Sequence, residues 1–285
     1  MTANDPRMYR ARVEFPRAEV SDPAAAVHGA LDASGISVSS GSRIAIAAGS
    51  RGIHAIDVTV RAAVEWLLGR GARPFIVPAM GSHGGATAAG QAAVLASYGI
   101  TEESMGVPVV SSMETVQIAE PAAPLEVPVF MDRAAWESDG VLLVNRIKPH
   151  TDFHGFPESG LMKMSVIGLG KHDQARAVHG FGIRGLKEQI LPAARAVLAS
   201  GRILGGVAIV ENAYERPLRV AATPADGIEP LERELLDLAS RSMARLPVDE
   251  IDVLIVDEMG KEKGGTGLDT NVIGRIRIAG EAEPE

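Results

Sequence analysis

The chain contains no cysteine among its 285 residues. This absence excludes disulfide bonds, thiolate metal sites and a cysteine nucleophile. No run of apolar residues approaches the roughly 18 that a membrane-spanning helix requires, and the opening stretch MTANDPRMYRARVEF lacks the apolar core of a secretory signal. The sequence therefore predicts a cytoplasmic protein that does not enter a membrane.

A surplus of positive charge is also missing, because 36 acidic residues outnumber 28 basic ones and the net charge is -8 at pH 7. A protein that binds nucleic acid needs lysine and arginine clustered on one surface to neutralise the phosphates. The sequence shows no such cluster, so nucleic acid is not an expected partner. A few basic side chains inside a pocket would still suffice to hold a small carboxylate.

What the chain does contain is 46 % hydrophobic residues and enough length for a sizeable core. Short apolar runs predict strands at Arg43–Ala48, Pro74–Ala79, Gly140–Ile147 and Ile203–Val210. Helical periodicity predicts helices at Pro23–Ser34, Ile56–Leu68, Ala88–Tyr98, Gly160–Ile167, Leu186–Ala199 and Glu229–Ala244. Apolar strands that alternate with helices predict an α/β fold with a doubly wound, mostly parallel sheet of Rossmann-like topology.

The remaining β-like segments lie outside this regular pattern. Alternating residues predict a strand at Tyr9–Phe15, short pieces between Val107 and Phe130 predict an excursion from the main sheet, and an apolar run predicts a strand at Ile251–Asp257. We therefore divide the chain into an N-terminal α/β domain, residues 1–248, and a hinge with the start of a second α/β lobe, residues 249–285. That second lobe would be truncated, with little chain left to bury a core of its own.

Ligands of open α/β sheets bind at the carboxyl ends of the strands, which places the loops Ser50–Gly52 and Gly81–Gly85 at the functional edge. His83 lies in the second loop, where small neighbours let a substrate approach the imidazole closely. The pattern is typical of a general base or a substrate contact. Alternatively, the loop is a tight turn or an anion-binding nest with a solvent-facing histidine.

Two further candidates follow the predicted strand Gly140–Ile147. His150 ends the segment NRIKPH at the mouth of this strand, where it is either a site residue or a residue of the loop surface. Lys163 lies in the apolar stretch SGLMKMSVIG, in which a lysine is costly to bury unless it is paired, shifted in pKa or used covalently. Alternatively, Lys163 reaches solvent from an amphipathic helix.

His172 and His179 are seven residues apart, which is two turns if the segment is helical. One of them could be a single metal ligand, but the pair lacks the spacing of a zinc-binding HExxH motif. The chain also lacks a Gly-x-Ser-x-Gly elbow and a GxGxxG loop after its first predicted strand. These absences weaken a hydrolase or a nicotinamide-dependent function.

Four segments together resemble the N-terminal domain of the nickel-pincer lactate racemase family: AAGSRGI, VPAMGSHGGAT, NRIKPHTDFHGFPESGLMKM and GKHDQARAVHG. The resemblance implies a nicotinate-derived nucleotide that carries nickel, tethered through Lys163, with His179 as the protein ligand of the metal. It also implies that His83 and His150 are paired general bases and that Arg51 binds the substrate.

The function expected from this resemblance is racemisation or epimerisation of a small 2-hydroxy acid by hydride transfer to the nickel-pincer nucleotide. Cofactor-synthesis enzymes would then be partners of the chain. Ala48 departs from the family pattern, which tends to have an acidic residue three positions before the arginine. Two alternatives stay open: a hydrolase or lyase with a metal bound directly by His83, His150 and His179, and a non-catalytic anion- or nucleotide-binding protein of the same fold.

Overall fold

The computed structural model describes residues 9–50, 52–260, 267–278 and 281–283. The strands in these residues are β1 (Arg43–Ala48), β2 (Arg73–Pro78), β3 (Thr115–Ala119), β4 (Val129–Asp132), β5 (Gly140–Arg146), β6 (Ile203–Glu211) and β7 (Pro217–Pro224). Five of them form the main sheet in the order β2-β1-β5-β6-β7. The first four are parallel, and β7 runs antiparallel to β6 at the edge.

The helices in the described residues are α1 (Pro23–Ala33), α2 (Ile56–Gly69), α3 (Ala88–Ser97), α4 (Glu102–Met105), α5 (Arg133–Trp136), α6 (Leu161–Lys163), α7 (Lys171–His179), α8 (Gly182–Arg184), α9 (Ile190–Ala199), α10 (Ile228–Ser242) and α11 (Thr270–Ile273). Helix α6 continues without a break into a π-helical turn, Met164–Gly168. Such turns are rare and occur often at functional sites. None of the described helices is long and apolar enough to cross a membrane.

The sheet is covered on both faces by apolar side chains. Ala45 and Ala47 of β1 point into one core, which α6, α7, α9 and α10 complete, whereas Ile44 and Ile46 point into the other, which α1, α2 and α3 complete. A strand buried on both faces needs a continuous apolar run, as β1 has. The predicted α/β fold class with a doubly wound, mostly parallel sheet is thereby confirmed.

Three sequence expectations about strands need correction. Tyr9–Phe15 forms no strand, and neither does Ile251–Asp257, where Ile255 is 84 % exposed. An apolar run becomes a strand only where a neighbouring backbone pairs with it, and no strand of the described residues does so here. Strand β7 was not predicted at all. The excursion after Val107 is confirmed, because β3 and β4 pair as a separate antiparallel sheet.

The polar end of the sheet lies where β1 and β5 sit side by side. The chain leaves β1 towards β2 on one side, and it leaves β5 towards β6 on the other. Ligand sites of open α/β sheets form at this kind of switch point. Ser50 follows β1 here, and Asn145 lies near the end of β5, so both belong to the candidate site.

Candidate active site

The loop after β2 carries His83 to the switch point. Ser50 Oγ lies 2.5 Å from His83 Nδ1, so the loop after β1 holds the imidazole. The backbone carbonyl of Ser50 in turn accepts a hydrogen bond of 2.6 Å from the hydroxyl of Tyr98 at the end of α3. A neutral His83 that donates its Nδ1–H to Ser50 carries its lone pair on Nε2, as a general base requires.

A buried polar network fixes the backbone of the His83 loop. Gln91 of α3 donates from Nε2 to the carbonyls of Gly81 and His83, at 2.7 and 3.3 Å. Its Oε1 accepts a bond of 3.1 Å from Lys171, which is fully buried and pairs with the equally buried Asp132 at 3.1 Å. Burial lowers the pKa of Lys171, and the Asp132 charge opposes that effect. The backbone position of His83 therefore depends on a buried ion pair, whose ammonium also donates to the carbonyl of Pro78 at the end of β2.

His150 lies in the loop after β5 and is 8 % exposed. Its backbone N–H donates to Glu158 at 2.6 Å, and the N–H of Gly155 donates to the other oxygen of that carboxylate at 3.1 Å. The N–H of Asp152 lies 3.1 Å from His150 Nδ1. Because a backbone N–H only donates, Nδ1 accepts this bond, and a neutral His150 carries its proton on Nε2.

Phe153 joins His150 to Lys163. The Phe153 and His150 rings have centroids 4.4 Å apart, and Lys163 Nζ lies 5.4 Å from the Phe153 centroid. Phe153 itself is fully buried, so its ring is held on both sides. A cation over an aromatic face is stabilised by the negative potential of the ring.

The helix that carries Lys163 is bonded to strand β5 at its start and, through the π-helical turn, to the His83 loop. Asn145 of β5 donates to the carbonyl of Gly160, immediately before α6, at 2.9 Å. At the other end, the N–H of Gly81 donates to the carbonyl of Gly168 at 3.2 Å, which joins the His83 loop to the π-helical turn. The His83 loop, Asn145 and Lys163 are therefore parts of one connected assembly.

His179 is the last residue of α7 and keeps an exposed face. Loss of hydration and the positive charge of Lys163 lower its pKa, whereas Asp152 opposes the shift. These effects place His179 in the electrostatic field of both Lys163 and the His150 loop. A lowered pKa keeps the imidazole neutral near pH 7, which is the form that binds metals.

The structure thus groups His150, Lys163 and His179 through Phe153 and local charge, and it connects the His83 loop to the same helix. Arg51 lies outside the described residues. His172 is exposed on α7 and takes no part in the group. Among the described residues, no three histidine, aspartate or glutamate side chains gather in a way that could hold a metal ion by themselves.

Several residues of the site were not predicted from the sequence. Phe153 was not a candidate, and the contact of Ser50 with His83 was not predicted although its loop was placed at the functional edge. The segment 267–278 also contributes: Asn271 donates to the carbonyl of His150 at 3.0 Å, and Asp269 pairs with Lys148 at 2.6 Å. Glu232 was also not a candidate. The sequence does contain a signal for it, since this acidic residue interrupts the apolar stripe of α10.

Comparison with known proteins shows a likeness in fold. No family model and no curated protein sequence matches the chain. Among solved structures, the fold is similar to the lactate racemase apoprotein from Thermoanaerobacterium thermosaccharolyticum, with a TM-score of 0.57 and 13 % sequence identity. The likeness covers 82 % of this chain and 60 % of that chain. At this identity it establishes a lactate racemase-like fold.

Proposed function

We propose that this chain is an isomerase that racemises or epimerises a small 2-hydroxy acid with the help of a nickel-pincer nucleotide. The observation that carries the proposal is the packing of His150 and Lys163 against Phe153 near the switch point of the sheet, with His179 in the electrostatic field of Lys163. The lactate racemase-like fold supports it. The acid itself is left open, because racemases and epimerases of 2-hydroxy acids need the same steps.

The described residues fit the proposed cofactor. Lys163 is half-buried beside an aromatic ring and would tether the nucleotide, and His179 has a depressed pKa and would bind the nickel through a neutral nitrogen. When bound, the nucleotide would supply an electrophilic carbon that accepts a hydride. A metal that comes with its own organic donors needs few protein ligands, which agrees with a single histidine from α7.

The chain's own residues would handle the hydroxyl proton and the carboxylate. The carbon-bound hydrogen of a hydroxy acid is a very weak acid, so its removal as hydride must be matched by removal of the hydroxyl proton. His83 is arranged to take that proton on Nε2, with Ser50 at Nδ1. Arg51 would hold the carboxylate by charge-assisted hydrogen bonds.

His150 is arranged differently from His83. While its Nδ1 accepts the bond from Asp152, its Nε2–H is a donor and can orient a substrate oxygen. His150 would act as the second base only when this bond opens. Release of the Asp152 contact is thus part of the proposed cycle for one of the two stereoisomers.

The test is to produce the protein together with the cofactor-synthesis enzymes and to measure bound nickel and intact mass. We expect stoichiometric nickel and an adduct on Lys163. Lys163→Arg should lose the adduct because a guanidinium does not form the same tether, and His179→Ala should keep the adduct but lose most of the nickel. Chiral chromatography of a panel of 2-hydroxy acids then measures isomerisation.

Two substitutions are matched controls. Lys187→Arg keeps the charge of a lysine that pairs with Glu281, and His172→Ala removes an exposed histidine from α7, the helix that carries His179. Both should retain nickel and adduct. A folded wild-type protein without nickel and without adduct would contradict the proposal, and activity restored by bare divalent ions would favour a directly bound metal instead.

A further inference from the structure

Glu232 is a carboxylate in an apolar environment. It lies on the stripe of α10 that also buries Ile228, Leu235 and Ala239, and it is 1 % exposed. None of the ion pairs among the described residues includes it. A buried charge without a cationic partner is costly, so the position calls for an explanation in terms of what the carboxylate binds.

The carboxylate binds the first turn of the helix that carries Lys163. Glu232 Oε2 accepts a hydrogen bond of 2.9 Å from the N–H of Met162, and the N–H of Leu161 also stabilises the charged form. These are N–H groups that a helix start leaves without intrahelical partners. Gly160, the residue before the helix, offers no side chain to cap them. Glu232 does so from 70 residues further along the chain.

The approach is so close that a side chain at residue 160 would displace the carboxylate. A Cβ atom on Gly160 would lie 2.4 to 2.5 Å from the carboxylate atoms of Glu232. Leu161 and Met162 are both fully buried, so the first turn has no room to shift sideways. Lys163 directly follows these two buried residues.

Protonation of Glu232 changes the charge at this helix start. Burial raises the pKa of the carboxyl to about 7, and the neighbouring Glu229 adds to the shift. Glu229 is itself engaged by Arg195 and Arg233 at 2.8 and 2.9 Å. The titratable and charged side chains of the other segments packed against α10 are Lys163 on α6, Glu211 on β6, Arg219 on β7, Asp226 in the turn before the helix, and His154 and Glu158 in the loop after β5.

We propose that Glu232 is a positioning residue for Lys163: its carboxylate fixes the first turn of α6 and so sets the place and the charge environment of the lysine amine. The importance of that lysine for cofactor binding rests on the proposed function. The coupling between Glu232 and Lys163 does not, and it can be measured on the protein without cofactor.

The test uses NMR of the full chain with its lysines converted to ¹³C-dimethyl-lysine, which keeps the positive charge. The chain has only six lysines, and Lys163→Arg assigns the relevant signal. We expect the Lys163 methyl signal and the Met162 amide to show an inflection near pH 7, the pKa of Glu232. In Glu232→Gln this inflection should disappear from both signals.

Glu229→Gln is the matched control, because it removes a carboxylate from the same helix that faces arginines instead of α6. It should retain the inflection in both signals, at a slightly lower pH because the Glu229 charge no longer raises the pKa of Glu232. An inflection that persists in Glu232→Gln, or that is lost equally in Glu229→Gln, overturns the proposal, since histidines near Lys163 would then be its source.

A second variant covers the case in which Glu232→Gln does not fold. Gly160→Ala keeps every charge but pushes the carboxylate away from the helix start. It should shift the Lys163 signal and weaken the inflection at Met162, and an unchanged spectrum would contradict the proposal. With cofactor-synthesis enzymes present, both variants should also carry less Lys163 adduct. An absence of adduct even in the wild type would count against the proposed function alone.

Discussion

Asp132 and Glu232 are two buried acids that the protein stabilises in different ways. Asp132 pairs with the buried ammonium of Lys171 and caps α5 by accepting the N–H of Ala135 at 2.9 Å. Glu232 has no such cation and depends on backbone N–H groups. Glu232 fixes the start of α6, which carries Lys163. Asp132 acts on the His83 loop indirectly, because its partner Lys171 bonds Gln91 and Gln91 bonds the carbonyl of His83.

The ion pair of Lys171 and Asp132 gives a prediction about stability. Lys171→Met removes the cation and leaves Asp132 charged and buried, which typically costs about 3–5 kcal/mol of unfolding free energy. Adding Asp132→Asn to this variant keeps the cap of α5 without the charge, so the double variant should recover a large part of the loss. Urea denaturation measures all three. Losses that simply add in the double variant would show that the two residues are not coupled.

At this scale the sequence predicted the site only in part. The sequence singles out His83 and His150 because each follows an apolar strand, and Lys163 because it lies in an apolar stretch, whereas the metal-binding role of His179 is implied only by the resemblance. Asp132 and Lys171 are 39 residues apart, and Asn271 reaches the carbonyl of His150 across 121 residues. Contacts at such separations leave no pattern in a single sequence.

The helices and strands with the strongest patterns agree most closely with their predictions. Strand β1 was predicted with its observed bounds, because its apolar run is buried on both faces. Strand β7 was missed because it is an edge strand with a proline at each end and mostly half-buried residues. The run Ile251–Asp257 was wrongly predicted to be a strand, because an apolar composition does not by itself provide a neighbouring strand to pair with.

The junction between the His83 loop and the π-helical turn gives a prediction about elements. Gly81 has a φ of +60°, and a Cβ there would lie 3.0 Å from the Ile167 side chain. Gly85 has a φ of +68° and nothing within 4 Å. Replacement by alanine strains the backbone equally at both sites, but only Gly81→Ala also forces the loop away from the turn.

We therefore expect Gly81→Ala to cost about 1–3 kcal/mol more unfolding free energy than Gly85→Ala, through overpacking. Thermal unfolding of the two variants measures this difference directly. Equal losses would mean that the turn yields to the added methyl group and that the loop and the helix are not rigidly joined.

At the scale of the whole molecule, Glu232 links global stability to pH. Its pKa is about 7 in the folded protein against an ordinary value of 4.5, so folding favours the protonated form. The stability that this pKa shift contributes is fully present below pH 4.5 and is lost as the pH rises through 7. The shift amounts to about 3 kcal/mol by the usual linkage between pKa and free energy.

Glu232→Gln is neutral throughout and should lack this loss between pH 4.5 and 7. Glu229 has the opposite sign, because Arg195 lowers its pKa to about 2. The stability advantage of wild type over Glu229→Gln should therefore be fully present above pH 4.5 and should be lost as the pH falls towards 2. Unfolding free energies measured across pH 2 to 8 test both statements, and parallel curves for wild type and Glu232→Gln would contradict the first.

The burial of Phe153 between His150 and Lys163 makes one ring a shared neighbour of the proposed second base and the proposed anchor. A fluorine atom on that ring would serve as an internal reporter, because its resonance responds to a shift of the imidazole on one side and of the ammonium on the other. The chain contains only six phenylalanines, so the spectrum would be simple. Opening of the His150 loop and modification of the lysine would thus be visible in the same signal, in solution and in real time.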